Sequence, residues 1–220
     1  MSVPAVRMAM NLAALFSPNE QVWLLPECEI LQKVDGALLS EDGRRNQSPA
    51  AGIGLFIVYT LDRFVDTYNV IDDIMDKVLE IKPTVKFVWN MTWAYQQNSG
   101  HGSFGSYNND QMTMYNAIIN AVKTKVVPND RFEVIVPNGT AVQNARTSYI
   151  GDNLCRDKYC HLTYDFGRYI AGLTMVGALT GADLTKVTYS PNLSDKYRQI
   201  AIESAVNALN NPYTVTISKY

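Results

Sequence analysis

The stretch Thr67 to Met91, TYNVIDDIMDKVLEIKPTVKFVWNM, decides the fold class of this chain. Its first part carries apolar residues such as Val70 and Ile74 at helical spacing, and Pro83 closes the pattern. Its last part, Val85 to Met91, is short, β-branched and aromatic, which is typical of a strand buried in a parallel sheet. A helix followed at once by such a strand is half of a β/α repeat.

The alternation continues along the chain and favours a parallel α/β sheet. A second helix precedes the predicted strand Phe132 to Val136, a third runs from Phe166 to Gly181, and Ser194 is the expected N-cap of a fourth. The apolar faces of these three helices are predicted to be Met112, Tyr115, Ile118, Ile119 and Val122; Phe166, Tyr169, Ile170, Leu173 and Val176; and Tyr197, Ile200, Ala201, Ala205 and Leu209.

Three further segments carry local predictions. The segment from Pro137 to about Thr163 is predicted to be a long loop, and long loops in compact domains are usually functional. The segment Tyr213 to Ile217 is a candidate edge strand. The third helix contains Gly167, Gly172 and Gly177, which we expect to permit its close approach to the sheet.

Length and composition exclude several classes of protein. The 220 residues, of which 47% are hydrophobic and 18% charged, suffice for one globular α/β domain. The net charge of -2 gives no basic patch for nucleic acid, and no apolar run is long enough for a membrane span. Residues 1–65 are atypical, with weak periodicity and turn signals, and residues 66–220 carry the α/β pattern.

The N-terminus and the cysteines leave the compartment open. Met8 to Phe16 is a weak match to a signal-peptide core, and no convincing signal peptide is present. Cys28, Cys155 and Cys160 cannot all pair within one chain, but Cys155 and Cys160 are close enough in sequence for a local disulfide in an exported protein.

His101 and His161 are the only histidines, so a histidine general base must be one of them. His161 follows Asp157 by four residues, and this carboxylate would accept the imidazole proton and fix the tautomer. The alternative is a surface histidine that caps the helix near Asp165. Spacing alone does not decide between them.

Three blocks of the chain resemble a known family. They are Trp89 to Tyr115, Val136 to Arg146 and Arg156 to Gly172, and together they resemble the DUF4886 branch of the SGNH/GDSL hydrolases. The resemblance implies a flavodoxin-like three-layer α/β/α sandwich with a mostly parallel sheet. It also implies ester hydrolysis, commonly on acylated carbohydrate, by an exported protein, either periplasmic or extracellular.

The resemblance assigns catalytic roles to two residues. The family supplies an aspartate and a histidine from one closing loop, which correspond here to Asp157 and His161. The usual spacing is Asp-x-x-His, whereas this chain has Asp-x-x-x-His. The additional residue would either be absorbed by a bulge or turn the carboxylate away, in which case Asp152, Asp165 or water would orient the ring.

Other residues of these blocks are candidates for substrate contact. Asn98 is the candidate donor of a hydrogen bond to the oxyanion. His101 is expected to contact the substrate or to have a structural role. Trp93 and Tyr95 are either a platform for a sugar ring or ordinary core. Arg146 would bind a substrate carboxylate or pair with an acidic residue of the protein.

The nucleophile of the family is not recognisable. Neither Gly-Asp-Ser nor Gly-Asn-Ser occurs, Gly36 to Gly43 is only a weak imitation, and the family's middle block is absent between Ile53 and Asp66. The N-terminal third is therefore expected to be truncated, rearranged or read from a shifted frame. The candidate replacement nucleophiles are Ser40, Ser48, Ser99 and Ser103.

The leading hypothesis is therefore a serine-type esterase acting on a small-molecule or glycan ester, with neither metal nor cofactor. The competing hypothesis is an inactive remnant whose cleft binds glycan through Trp93, Tyr95 and Arg146. A third is a truncated member of the family that folds poorly.

Overall fold

The sheet of this protein is parallel and lies among helices. The computed structural model describes residues 53–57, 67–81, 83, 86–190 and 192–220. In that part of the chain the strands β1 (Ile53–Ile57), β2 (Lys86–Asn90) and β3 (Phe132–Val136) pair in the order β1-β2-β3, both pairs being parallel. The predicted α/β class with a parallel sheet is confirmed. The predictions on Met8 to Phe16, Gly36 to Gly43, Ser40 and Ser48 lie outside the described residues.

Helices connect and follow the strands. They are α1 (Thr67–Ile81), α2 (Gln111–Ala121), α3 (Asn138–Arg146), α4 (Phe166–Thr180) and α5 (Asp195–Asn210). Short 3₁₀ segments span Gly102–Tyr107 and Leu184–Lys186, and a π-helical turn, Val122–Val126, continues α2.

The predicted caps are present at the ends of these helices. The hydroxyl of Ser194 accepts a hydrogen bond from the backbone N–H of Tyr197, at the start of α5. Gly181 ends α4 in the left-handed conformation, with φ of 63°. The sequence signals for helix starts and ends were therefore read correctly at these positions.

Alternating side chains of β2 face opposite sides of the sheet. Phe87 and Trp89 belong to the apolar cluster that contains the buried residues of α1 and α2. Val88 packs on the other side, with Val136 of β3 and Met175 of α4. Helices therefore cover both faces of the sheet, and β2 lies in the middle of the core.

The long loop predicted from Pro137 to Thr163 is wrong in its first part, because residues 138–146 form α3. Each residue of α3 is buried, so the helix shows no one-sided apolar stripe. Its polar side chains instead bond to distant parts of the chain, as Asn144 Nδ2 does to the carbonyl of Ser204 at 3.2 Å. Periodicity therefore could not reveal this helix.

The edge strand predicted at Tyr213 to Ile217 is also wrong. This segment runs beside α3 without joining a sheet, and side chains take up its backbone groups. Thr216 N–H donates to Asn144 Oδ1 at 2.7 Å, and Ser218 N–H donates to Thr147 Oγ1 at 2.8 Å. These side-chain acceptors take the place of a neighbouring strand.

Two smaller predictions need correction. Met112 lies on the outer side of α2 with 40% exposure, and Met114 takes the expected inward position. A Cβ atom at Gly167 would lie 2.9 Å from the carbonyl of Leu154, and one at Gly177 would collide with Leu209 of α5. Gly167 therefore permits the close approach of the loop that contains Leu154, and Gly177 permits that of α5. Neither position serves the predicted close approach to the sheet.

Replacing Gly139 by alanine is expected to lower the free energy of unfolding by about 2 kcal/mol or more. A Cβ atom there would collide with the carbonyl oxygen of Thr92, in backbone that cannot move aside cheaply, and it would lie 3.3 Å from Met91 Cε. Urea unfolding of Gly139→Ala measures the effect. Gly105→Ala is the matched control, because nothing lies within 4 Å of its added Cβ, and an equal loss in both variants would contradict the expectation.

Candidate functional site

Three segments meet at the carboxyl edge of the sheet. The loop after β2 and the start of α3 follow neighbouring strands, and the segment 147–165 lies against the first of them. Trp93 Nε1 donates to the carbonyl of Cys160 at 2.7 Å, and Ser99 Oγ donates to the carbonyl of Lys158 at 2.7 Å. Open α/β sheets place their sites at this edge.

The segment from Cys155 to Leu162 is a closed turn. Cys155 and Cys160 form a disulfide with their Cα atoms 4.6 Å apart, and Cys155 bridges Leu162 in antiparallel fashion. Within the turn, Arg156 N–H donates to the carbonyl of His161, and Cys160 N–H donates to the carbonyl of Asp157, both at 2.9 Å. The disulfide and these backbone hydrogen bonds therefore hold the backbone of the turn in one conformation.

The structure brings Asp157 and His161 together. Asp157 Oδ2 lies 2.7 Å from His161 Nδ1, while Oδ1 accepts the backbone N–H groups of Tyr159 at 3.0 Å and His161 at 3.2 Å. Cys160 has a positive φ of 56°, which accommodates the extra residue of the Asp-x-x-x-His spacing. Of the alternatives open at the sequence level, the carboxylate that contacts the ring is that of Asp157.

The alternative carboxylates have other partners. Asp152 pairs with Arg146, and Asp165 caps α4 by accepting the backbone N–H of Phe166 at 2.6 Å. Burial alone would raise the pKa of the Asp157 carboxyl, but hydrogen bonds from the ring and backbone of His161 outweigh it and hold that pKa below its ordinary value. Asp157 is therefore an anion at neutral pH and accepts the Nδ1 proton.

The two histidines differ in tautomer. With its Nδ1 proton donated to Asp157, neutral His161 carries its lone pair at Nε2, which is the atom a general base uses. His101 Nδ1 instead accepts the backbone N–H of Ser103 at 3.2 Å, so its proton is at Nε2. Burial, and then the charge of Lys158, lower the pKa of His101, which keeps it neutral. The Nδ1 lone pair of His101 therefore accepts a structural hydrogen bond from the backbone of Ser103.

The aromatic candidates are less accessible than their neighbours. Tyr95 is only 8% exposed and belongs to the core, and Trp93 is half-buried. Tyr159 and Tyr164, which the sequence analysis missed, are 46% and 63% exposed. A series of ring contacts from Tyr95 through His101 and Tyr159 reaches His161. The exposed aromatic ring that contacts His161 is therefore that of Tyr159.

Arg146 pairs with an acidic residue of the protein, which is the second of the two alternatives stated for it above. Its side chain is 3% exposed and its Nε lies 2.8 Å from Asp152 Oδ1, although the N–H is not aligned with that oxygen, so the contact is an ion pair. The guanidinium also donates to the carbonyl of Ala94 and to Gln143 Oε1, both at 3.0 Å. Burial lowers the pKa of Arg146 to about 10, while Asp152 opposes that shift, so the group remains charged at neutral pH.

Two buried asparagines lie where β2 and β3 end. Asn138 Nδ2 donates to Asn90 Oδ1 at 2.7 Å, and the two residues are 1% and 4% exposed. In the described part of the chain, Asn138 Oδ1 has no hydrogen-bond partner. Asn98, the predicted oxyanion donor, lies exposed in a turn. The sequence signal for Asn90 was its place as the last residue of a buried strand.

The serines near the site have defined environments. Ser99 Oγ accepts the backbone N–H of His101 at 3.2 Å and donates its own proton to Lys158, while Ser103 is exposed. A serine whose proton is donated to a carbonyl is not activated by a histidine. The geometry therefore does not give Ser99 the arrangement of an activated nucleophile.

Helices long and apolar enough to cross a membrane are not found in the described ranges. The same residues contain no group of three or more His, Cys, Asp or Glu side chains placed to hold a metal ion.

The comparisons with known proteins point to one family. No curated protein matches the chain. A crystal structure of a DUF4886 family protein from Bacteroides uniformis ATCC 8492 is similar over 74% of this chain and 64% of that chain, with 35% identity and a TM-score of 0.67. This chain thus spans less than two thirds of that protein. The model of the family described as a domain of unknown function, DUF4886, matches residues 64–208, and the chain therefore belongs to the DUF4886 family.

Proposed function

We propose that this protein is a serine-type ester hydrolase of the SGNH/GDSL kind, with the flavodoxin-like sandwich that such enzymes have, and that His161 is its general base. The observation that carries the proposal is the contact of 2.7 Å between Asp157 Oδ2 and His161 Nδ1. The same carboxylate is held by two backbone N–H groups, so it orients the imidazole within a closed turn. Such a pair supplies two of the three parts of a catalytic triad.

The chemistry assigned to the pair is acyl transfer. His161 Nε2 takes the proton of a serine hydroxyl as the oxygen attacks the ester carbonyl, and the resulting imidazolium is stabilised by Asp157. The same proton then goes to the leaving alcohol as the carbon–oxygen bond breaks. In the second half of the cycle His161 takes a proton from water as the water oxygen attacks the acyl carbon. The same proton then goes to the serine oxygen as its bond to the acyl group breaks and the acid leaves.

The substrate class proposed is acylated carbohydrate. The resemblance to SGNH/GDSL enzymes suggests it, and the exposed ring of Tyr159, which contacts the ring of His161, supports it. An exposed aromatic face gives apolar contact area to the flat side of a sugar ring. The buried Tyr95 is a weaker candidate for that contact.

Labelling with a fluorophosphonate probe, read by intact mass and peptide mapping, tests the proposal. The probe bonds to a serine that a working base has activated, so the folded protein is expected to gain one adduct and the Asp157→Asn variant much less. The mapped peptide would name the nucleophile among Ser40, Ser48, Ser103 and the other serines. Folded protein without an adduct would overturn the proposal and favour a glycan-binding protein without catalysis.

A further inference from the structure

The arginines of the described residues fall into two groups. Arg131, Arg146 and Arg198 each pair with an aspartate. Arg156 and Arg168 form no ion pair with any described residue. A single solvated arginine on a surface needs no partner. Two unpaired arginines that contact the same side chain are a more specific arrangement.

Arg156 and Arg168 are held by the same ring. The guanidinium carbons lie 4.6 Å and 4.4 Å from the ring centroid of Tyr164, and Arg156 also donates to the Tyr164 hydroxyl at 2.9 Å. Cation–π contacts of this kind orient a guanidinium without neutralising it. Tyr164 thus brings two positive charges together while leaving their other donors available.

The electrostatic surroundings make this arrangement costly for the protein alone. Arg168 is the third residue of α4, at the positive end of the helix, where a cation is disfavoured. Burial lowers the pKa of Arg168, Tyr164 opposes that shift, and the charge of Arg156 lowers the pKa further. The nearby carboxylates of Asp157 and Asp165 bond to His161 and to Phe166 N–H. An external anion would relieve this repulsion.

One arginine of the pair, Arg156, belongs to the same turn as the candidate base. Arg156 N–H donates to the backbone carbonyl of His161 at 2.9 Å, so the two residues face each other across the turn. The exposed ring of Tyr159 lies on the same turn, with Lys158 Nζ 5.1 Å from its centroid. Positive charge and aromatic surface therefore occur together beside His161.

We propose that Arg156 and Arg168 form an anion-binding subsite that takes the carboxylate of an acidic sugar. The planar guanidinium group can donate two parallel hydrogen bonds to the two oxygens of a carboxylate. A pair of such groups makes the contact both strong and directional. As a description of the substrate the inference rests on the proposed hydrolase function, but the binding itself needs no turnover. The ester to be cleaved would belong to the same acidic sugar.

Protein-observed NMR titration of the full chain tests the subsite without an activity readout. The probes are glucuronate and its neutral counterpart, methyl glucoside. Glucuronate is expected to bind at least about tenfold more tightly, as a charge-assisted contact provides. Arg156→Gln and Arg168→Gln are each expected to lose about tenfold in glucuronate affinity. Raising the salt concentration should weaken glucuronate binding and leave methyl glucoside unaffected.

Lys196→Gln is the matched control, because Lys196 Nζ lies 3.7 Å from the ring centroid of another exposed tyrosine, Tyr149. It should bind glucuronate as the unmodified protein does. Equal affinity for the two sugars, unchanged affinity in both arginine variants, or an equal loss in Lys196→Gln would overturn the proposal. Inorganic phosphate binding more tightly than glucuronate would overturn the assignment to an acidic sugar.

Two further variants separate the possible failures. His161→Asn should retain glucuronate binding, because the subsite does not use the imidazole. If the unmodified protein binds the sugar but takes up no fluorophosphonate, the hydrolase is contradicted and the subsite stands. Tyr164→Leu removes the ring and its hydroxyl while both cations remain, and it should lose affinity although the net charge is unchanged. Full glucuronate affinity in Tyr164→Leu would show that the ring does not organise the pair.

Discussion

Replacing His161 by asparagine is expected to reduce ester hydrolysis by about 1000-fold or more. The substitution removes the Nε2 lone pair that would take the serine proton, while asparagine can still donate a hydrogen bond to Asp157. The measurement is kcat/KM on a 4-nitrophenyl acyl ester, with thermal unfolding used to show that the variant is folded. The large effect reflects the loss of both proton transfers in the cycle.

Two variants accompany His161→Asn. Asp157→Asn leaves the ring in place but removes the acceptor that fixes its tautomer and stabilises the imidazolium, so a loss of about 100-fold or more is expected. His101→Asn should cost much less, because His101 Nδ1 accepts the N–H of Ser103 and its ring carries no lone pair at Nε2. A larger loss in His101→Asn than in His161→Asn would show that the base has been assigned wrongly.

Replacing Arg146 by methionine is expected to lower the free energy of unfolding by about 3 kcal/mol. The guanidinium is 3% exposed and holds Asp152, Gln143 and the carbonyl of Ala94. Methionine fills similar space but leaves these acceptors without their donor, and Asp152 without its counter-charge. Urea unfolding followed by circular dichroism measures the change.

Arg131→Met is the matched control for this prediction. Arg131 also bonds to two aspartates, Asp72 and Asp76, but those carboxylates are 54% and 64% exposed. Water can replace the lost donor at such a surface, so the expected cost is below about 1 kcal/mol. Similar losses in both variants would show that the burial of Arg146 does not determine its effect.

The Arg146 network links stability to the candidate site. Asp152 Oδ2 accepts the backbone N–H of Gln97 at 2.6 Å and Gln111 Nε2 at 2.9 Å, so it joins the loop after β2 to the start of α2. Arg146 also lies 3.6 Å from Cys160 Sγ, beside the turn that holds His161. Loss of Arg146 is therefore expected to loosen the support of that turn as well as the fold.

Local sequence signals predicted a large part of this structure. The helices α1, α4 and α5 and the strands β2 and β3 follow from apolar spacing and from end signals such as Ser194 and Gly181. The contact between Asp157 and His161 was one of the arrangements that the sequence left open, because a turn of this spacing can bring the two side chains together or turn the carboxylate away. Such features depend on residues that are near each other in the chain.

Other features depend on residues far apart, and the sequence by itself did not determine them. The helix α3 is buried on every side, so it lacks an apolar stripe, and its polar residues bond to partners as distant as Ser204 and Thr216. The burial of Arg146 against Ala94, and the meeting of Asn90 with Asn138, likewise require β2 and β3 to be paired first.

The sequence thus determined the α/β class and the helix ends, because short-range geometry fixes both of these. Only the tertiary structure decided that Arg146 is a buried support, that Tyr95 belongs to the core, and that Tyr164 brings Arg156 and Arg168 together. The physical reason is that burial and partner choice are properties of the packed chain, and neither is encoded in the spacing of neighbouring residues.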